Sequence, residues 1–231
     1  QTCRKCWNEE RAGRTSKRMY TLDRLKHMLP DQEWTADARP LMFLDLKLGN
    51  ICNLKCRICG SWSSSQYATE ELNDMNSAED KKSSYPYMML RAGAWPQENP
   101  KFWSEIDLVS DQIRYIEFTG GEPFMIREHF DLLQRIVDMG VAGQVEIHYN
   151  TNGTVFPEQH TVWSHFKHVE VAFSIDNTGE RFEYERYGAD WNQANAIIDG
   201  IHWAQGVDSH NITTQLCFTI NIQNVYYLDE L

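Results

Sequence analysis

The chain has 231 residues and a mass of 27.0 kDa, which suits one large domain, or one domain with an appendage, at roughly 100–200 residues per domain. Hydrophobic residues make up 42% and the mean hydropathy is -0.56, the composition of an ordinary soluble globular protein, and no apolar run approaches the roughly 18 residues of a membrane span. The net charge of -11 argues against a general nucleic-acid binder, because neutralising phosphates needs concentrated Lys and Arg.

The charge is uneven along the chain. Residues 1–27 hold eight Lys or Arg and three Asp or Glu, a net charge of +5, which leaves -16 for the rest. This basic stretch follows Cys3 and Cys6, and its pattern predicts a helix over 4–28 that ends before Pro30. The basic surface is either a solvated helix face or a docking surface for an anionic substrate or partner.

After a linker over 31–40, strands and helices alternate. Apolar residues with a period of two predict strands, and helical patterns follow most of them; the segment 77–101, which contains three prolines, reads as an irregular insertion. The predicted strands lie within 43–48, 113–118, 145–149, 169–175 and 216–220, and the predicted helices within 60–76, 102–109, 130–137, 157–166 and 190–205. This alternation predicts βαβ units with right-handed crossovers and a parallel sheet.

Polar residues follow each predicted strand. Because the carboxyl ends of parallel strands meet at one face of a barrel or sheet, and ligands bind there, these residues predict a single site. They lie in the segments 52–59, 119–122, 150–152, 174–176 and 219–221.

Three of the six cysteines, Cys52, Cys56 and Cys59, lie within eight residues of one another. Clustered cysteines in a chain that needs no disulfides indicate metal ligation in a reducing compartment, and hence a cytoplasmic protein. Three thiolates are one short of a closed tetrahedral or cubane site, and an incomplete ligand set leaves a coordination position open for a small molecule.

The spacing C-x3-C-x2-C after the first strand, with Gly-Gly-Glu-Pro after the second, resembles the radical S-adenosylmethionine (SAM) enzymes. The resemblance covers residues 41 to about 224. It implies a partial (β/α) TIM-like barrel, a [4Fe–4S] cluster on Cys52, Cys56 and Cys59, and SAM bound to the fourth iron. It also implies that one electron cleaves SAM to methionine and a 5′-deoxyadenosyl radical, which abstracts hydrogen from a substrate.

The same resemblance assigns the SAM-binding residues. Gly120, Gly121 and Glu122 would meet the methionine amino group, with the Glu122 carboxylate as an acceptor for the ammonium. Arg186 resembles a family arginine that pairs with the SAM carboxylate, a task for which its fork geometry is suited. The remaining candidates, placed near the ribose or the methionine carboxylate, are Ser174, Asp176, Asn152 and Asn221.

The sequence departs from the family pattern in two ways. Ile58 precedes the third cysteine, where an aromatic residue is frequent. Five strands are found where the usual barrel has six, which predicts that residues 39–231 are a radical SAM core without its C-terminal end.

Residues 1–38 resemble the region before the barrel in twitch-type members, where cysteines help to bind an auxiliary Fe–S cluster. Cys3 and Cys6 would supply part of that ligand set, and the other ligands would lie upstream of Gln1. The alternatives are a zinc knuckle or a surface thiol pair without metal.

Three functions remain open on these residues. The first is a radical SAM enzyme that acts on a peptide or a small metabolite and takes electrons from a donor such as flavodoxin or ferredoxin. The second is an Fe–S protein that does not cleave SAM, and the third is a binding module stabilised by zinc. The retained Gly120–Glu122 and Ser174–Asp176 segments favour the enzyme, because an electron carrier needs neither.

Overall fold

The computed structural model describes residues 3–28, 40–207 and 211–230, with the side chains of 205–207 left out. The chain divides into two compact units, Gln1–Arg39 and Pro40–Leu231. The predicted linker over 31–40 lies, except for Pro40, outside the described residues.

The N-terminal unit contains two helices, where the sequence pattern predicts one. Helix α1 spans Arg4–Arg11 and α2 spans Lys17–Leu25. Gly13 between them has a φ of +72°, a left-handed conformation that interrupts a helix and that glycine adopts without strain. Ser16 then starts α2, because its side-chain oxygen accepts a hydrogen bond from the Met19 amide at 3.1 Å. The prediction of a continuous helix is therefore wrong.

The strands of the C-terminal unit are β1 Phe43–Leu46, β2 Lys55–Cys56, β3 Tyr115–Phe118, β4 Glu146–Thr151, β5 His168–Ser174, β6 Arg186–Tyr187 and β7 Ile212–Cys217. Five of them form a parallel sheet in the order β1-β3-β4-β5-β7. The predicted α/β fold with a parallel, partial TIM-like barrel is confirmed. A two-residue antiparallel pair, β2 with β6, was not foreseen and pairs Cys56 with Arg186.

The segment 77–101 is helical, so the prediction of an irregular insertion is wrong. Its prolines lie in the first turns of three helices, where a missing backbone N–H costs nothing. Ser77 and Ser84 cap two helices of this segment through their side-chain oxygens. The helices of the unit are α3 Ser65–Asn73, α4 Ala78–Ser83, α5 Tyr85–Gly93, α6 Trp95–Glu98, α7 Pro100–Val109, α8 Arg127–Asp138, α9 Gly179–Glu185 and α10 Trp191–Val207.

Two further element predictions need correction. The segment 157–166 contains only a 3-10 helix, His160–His165. The last strand, β7, ends at Cys217, so Thr219 and Asn221 lie beyond it in the segment that leads to the 3-10 helix Leu228–Glu230.

The two faces of the sheet differ in chemistry. On one face, apolar side chains such as Ile116, Ile147 and Val169 are fully buried in the core. On the other face, the strand register aligns four ionisable residues in one row: Asp45, Glu117, His148 and Glu170. Across the described part of the chain, no helix is both long enough and apolar enough to cross a membrane.

Candidate functional site

The loop after β1 carries the three clustered cysteines. Within it, the Cys59 amide donates to the Cys56 carbonyl oxygen (2.8 Å). Ser64 Oγ donates to the Leu54 carbonyl oxygen (2.6 Å). The loop is therefore held in shape by hydrogen bonds of its own chain, and all three cysteines lie at the carboxyl end of a strand.

Burial disfavours the thiolate form of Cys52 and Cys56. It raises the pKa of Cys52, and it raises the pKa of Cys56 to about 11 although the nearby Arg186 guanidinium acts in the opposite direction. Both thiols are therefore protonated at neutral pH. Since metals bind the thiolate, metal binding at this loop would release protons.

The Gly120-Gly121 turn after β3 docks on the cysteine loop. The Glu122 amide donates to the Ile51 carbonyl oxygen (2.7 Å). Both glycines have positive φ, +75° and +57°. A Cβ on Gly121 would lie 2.4 Å from the Ile51 oxygen, and one on Gly120 would lie 2.5 Å from the Lys47 side chain. The two glycines are thus required by the approach of the protein's own backbone and side chains.

Glu122 is fully buried. Its carboxylate accepts hydrogen bonds from the Asn152 amide (2.7 Å), Thr151 Oγ1 (2.8 Å) and the Phe124 amide (3.2 Å). Burial nevertheless dominates and raises its pKa to about 7. The carboxylate therefore ties the turn after β3 to the end of β4, a contribution to the site that the sequence pattern did not predict.

Asn152, at the end of β4, connects that strand to the cysteine loop. Its Nδ2 lies 3.8 Å from Cys52 Sγ and donates to Asn53 Oδ1 (3.0 Å). Its Oδ1 accepts from the Thr154 amide (2.9 Å) and from Thr154 Oγ1 (2.6 Å). The side-chain amide is therefore fixed in orientation with one face against a cysteine sulfur.

Asp176 and Arg186 form a buried ion pair next to the second cysteine. Arg186 Nη2 donates to Asp176 Oδ2 at 2.5 Å, and Arg186 Nη1 lies 3.8 Å from Cys56 Sγ. Arg186 Nε is buried without a hydrogen-bond partner. Because an unpaired buried N–H is costly, this atom marks the guanidinium as ready to bind an additional acceptor.

The remaining two candidates, Ser174 and Asn221, lie in different parts of the fold. Ser174 ends β5, half-buried and in register with Cys217 on β7. Asn221 is engaged in a turn, where its Oδ1 accepts from the Gln223 amide (2.7 Å) and its Nδ2 donates to the Thr219 carbonyl oxygen (3.1 Å).

Sequence reasoning missed Asn224. Its buried side chain donates to the carbonyl oxygens of Asp176 (3.1 Å) and Thr219 (2.8 Å). Thr219 in turn donates its amide to Asp176 Oδ1 (2.8 Å). Asn224 therefore holds the acid of the ion pair in place, and nothing in its sequence spacing could have revealed these contacts.

Cys3 and Cys6 belong to the N-terminal unit. Cys3 directly precedes α1, without a side-chain capping hydrogen bond, and Cys6 lies in its first turn, so the two thiols lie on one face of the helix, three residues apart. Both are free cysteines, Cys3 exposed and Cys6 partly exposed.

Comparison with known proteins agrees with this arrangement. The fold is a partial barrel with a cysteine loop after its first strand, and the model of the radical SAM superfamily matches residues 46–230. The chain therefore belongs to the radical SAM superfamily. No curated protein matches the sequence.

Solved structures that resemble this chain are distant from it in sequence. Native anSMEcpe with bound AdoMet (SAM) has a TM-score of 0.54 at 19% identity, over 82% of this chain and 47% of that one. Native anSMEcpe with bound AdoMet and Kp18Cys peptide has a TM-score of 0.52 at 17% identity, over 83% of this chain and 46% of that one. Streptococcus suis SuiB has a TM-score of 0.48 at 11% identity, over 93% of this chain and 46% of that one. The chain thus spans about half the length of these proteins.

Proposed function

We propose that the core unit holds a [4Fe–4S] cluster on Cys52, Cys56 and Cys59, binds SAM beside it and cleaves SAM reductively. One observation carries this proposal. Two polar side chains from separate elements each contact a different cysteine of the loop, Asn152 at Cys52 and Arg186 at Cys56, both with 3.8 Å between nitrogen and sulfur. N–H groups aimed at cysteine sulfurs stabilise and tune a cluster bound to them.

The residues present fit these two groups. Three cysteines can each bind one iron, and the fourth iron is left for SAM. A structural zinc ion takes four ligands at about 2.0–2.3 Å. The loop supplies three thiolates, so its donor set favours the cluster over zinc.

Arg186 is the proposed partner of the SAM carboxylate. Its buried Nε lacks an acceptor, and the guanidinium is oriented by Asp176, so a carboxylate would complete its hydrogen bonds. We propose that four further polar residues line the same SAM pocket: Asp176, Ser174, Asn152 and Asn221.

The turn after β3 is proposed to receive the methionine amino group. Backbone carbonyl groups of Gly120 and Gly121 are candidates for the acceptors, while Glu122 fixes the turn from beneath through its three hydrogen bonds. In this proposal the backbone carbonyl groups contact the ligand, and the Glu122 carboxylate acts indirectly by fixing the turn.

A cluster held by Cys52, Cys56 and Cys59 would supply the electron for reductive cleavage of SAM and so for radical chemistry on the substrate. The protein's part is to hold SAM against the loop and to exclude water from it. We propose a peptide as the substrate class, since native anSMEcpe has been solved with a bound peptide, and a flavodoxin or ferredoxin as the electron donor.

Formation of 5′-deoxyadenosine tests the proposal. The protein is loaded anaerobically with iron and sulfide and given SAM and dithionite. Cys56→Ala should abolish the product, because it removes one of three cluster ligands, whereas Cys217→Ala, which removes an exposed cysteine outside the loop, should leave it unchanged. Undiminished product from Cys56→Ala would overturn the assignment.

Cys3 and Cys6 are proposed as two ligands of an auxiliary Fe–S cluster. The double change Cys3→Ala, Cys6→Ala should lower bound iron only in a protein that also carries the residues upstream of Gln1, because two thiolates cannot complete a cluster site. Iron analysis of both lengths of protein is the measurement. If the double change leaves the iron of the longer protein unaltered, the auxiliary cluster is excluded.

A further inference from the structure

A group of cations and tyrosines surrounds the β2–β6 pair, outside the residues assigned above to the cluster and SAM. We call it the loop-edge patch and define it by Lys55, Arg57, Tyr67, Tyr184 and Tyr187. The Arg57 guanidinium carbon lies 3.9 Å from the centre of the Tyr184 ring, and Lys55 Nζ lies 4.8 Å from the centre of the Tyr187 ring. Tyr184 and Tyr187 are 57% and 58% exposed.

The loop-edge patch is concave and net positive. Four of its residues, together with Glu70, line a cavity of about 290 Å³. Glu70 is the one carboxylate in this lining and forms an ion pair with Lys55, while the Arg57 side chain donates to the Tyr184 carbonyl oxygen (2.8 Å). The cavity therefore presents two cations and one anion, on a chain whose net charge is -11.

The loop-edge patch lies directly beside a proposed cluster ligand. Lys55 and Arg57 flank Cys56 in the sequence, and Tyr67 Oη donates to the carbonyl oxygens of Lys55 (3.2 Å) and Cys56 (3.1 Å). The Arg57 amide donates to the Glu185 carbonyl oxygen (2.7 Å), which anchors the patch to the end of α9. A molecule seated here would be a few bonds from the Cys56 backbone.

We propose that the loop-edge patch docks a one-electron carrier protein with an acidic surface. The inference rests on the proposed function. In the transfer, the reduced carrier loses one electron and the cluster on Cys52, Cys56 and Cys59 gains it, with no bond formed or broken.

Charge complementarity selects this partner. An acidic carrier is repelled by a chain of net charge -11, so cationic surfaces guide its approach, and the loop-edge patch is a cationic surface directly beside the cysteine loop. Exposed tyrosines with ordered neighbours suit the centre of such an interface, because tyrosine and arginine are enriched where protein contacts are strongest.

Binding of flavodoxin measures the docking without relying on catalysis. Oxidised flavodoxin is titrated calorimetrically into the cluster-free chain. Lys55→Gln with Arg57→Gln should raise Kd about tenfold at about 50 mM salt and less at about 200 mM, because both lost charges are screened. The control, Lys101→Gln with Arg127→Gln, removes two exposed cations outside the loop-edge patch and should leave Kd within about twofold of the unaltered chain.

A second variant guards against damage to the loop. Lys55→Gln with Tyr187→Ser retains Arg57 and its contacts with α9, and should also weaken flavodoxin binding. Circular dichroism confirms that each variant is folded before titration. Equal Kd values for the unaltered chain and a folded patch variant would overturn the docking proposal, as would a flavodoxin that binds only through the N-terminal basic stretch.

Two reductants separate this inference from the proposed function. With dithionite, the loaded patch variants should form 5′-deoxyadenosine at the rate of the unaltered chain, and with reduced flavodoxin they should be slower by about tenfold. If the loaded, unaltered chain forms none with dithionite, the proposed function fails. If it does, and the patch variants use flavodoxin equally well, only the docking site fails.

Discussion

Glu122 shows how one buried side chain can connect two strand ends at the candidate site. A carboxylate without solvent contact is unfavourable when charged, and three hydrogen-bond donors only partly compensate, so its pKa is raised to about 7. These donors come from two different strand ends. Glu122 thus fixes the turn and the end of β4 in place, but its buried charge lowers the free energy of unfolding at high pH.

The raised pKa predicts a pH dependence of folding. Between its ordinary pKa of 4.5 and about 7, the folded chain binds more protons than the unfolded chain, so this carboxyl lowers the free energy of unfolding as pH rises, by about 3 kcal/mol in total. Glu122→Gln should remove that slope in urea unfolding measured from pH 5 to pH 8. Glu105→Gln, an exposed control, should retain it. The same slope in Glu122→Gln and the unaltered chain would contradict this assignment.

The sequence indicates candidate site residues where side chains of one chemical type lie close together along the chain. Cys52, Cys56 and Cys59 stand out because thiols three and four residues apart suit one metal site. The contact of Arg186 with Asp176 depends on α9 returning the chain to the loop, and Asn224 acts from 48 residues beyond Asp176. Such partners follow from the path of the backbone, which no local pattern encodes.

At the scale of elements, the site depends on two loops fitting closely together. The turn with Gly121 approaches the cysteine loop so closely that the Ile51 carbonyl oxygen occupies the space that a Cβ on Gly121 would need. The φ of Gly121 is +57° and that of Gly140 is +72°, yet a Cβ on Gly140 would meet nothing within 4 Å. Substitutions at Gly140 and Gly121 can therefore separate two effects on stability, the strain of a left-handed backbone and the steric clash between the two loops.

Gly140→Ala should lower the free energy of unfolding by roughly 1–2 kcal/mol, the cost of a left-handed alanine. Gly121→Ala carries that cost and also forces apart Gly121 and the Ile51 carbonyl group, so we expect a loss at least about twice as large and a loss of iron binding. Urea unfolding and iron analysis of both variants measure these effects. Equal losses of stability would show that the two loops are not in firm contact.

Strands with a clear alternation of apolar residues were predicted correctly. Short helices that are recognisable mainly by the residues at their first turn were not. Alternating apolar residues correctly placed strands at 43–48, 113–118, 145–149 and 169–175. The helices within 77–101 were missed because Pro86, Pro96 and Pro100 were interpreted as breaks, whereas each lies in the first turn of a helix. The β2–β6 pair is only two residues long on each side, too short for any period to register.

At the scale of the whole molecule, the parallel order of five strands brings distant polar segments to one edge of the sheet. That convergence was predictable, because strand alternation fixes which ends meet. At this edge Asn152 and Arg186 each contact a different cysteine sulfur, so segments that are far apart in the sequence meet at the cysteine loop.

The most direct test of this account is electron paramagnetic resonance of the loaded, reduced protein with and without SAM. A cluster with three cysteine ligands has an open iron that SAM can bind, so the spectrum should change when SAM is added, and Arg186→Gln should require more SAM for the same change. A spectrum that SAM does not alter at any concentration, or a protein that takes up zinc and no acid-labile sulfide, would contradict the account.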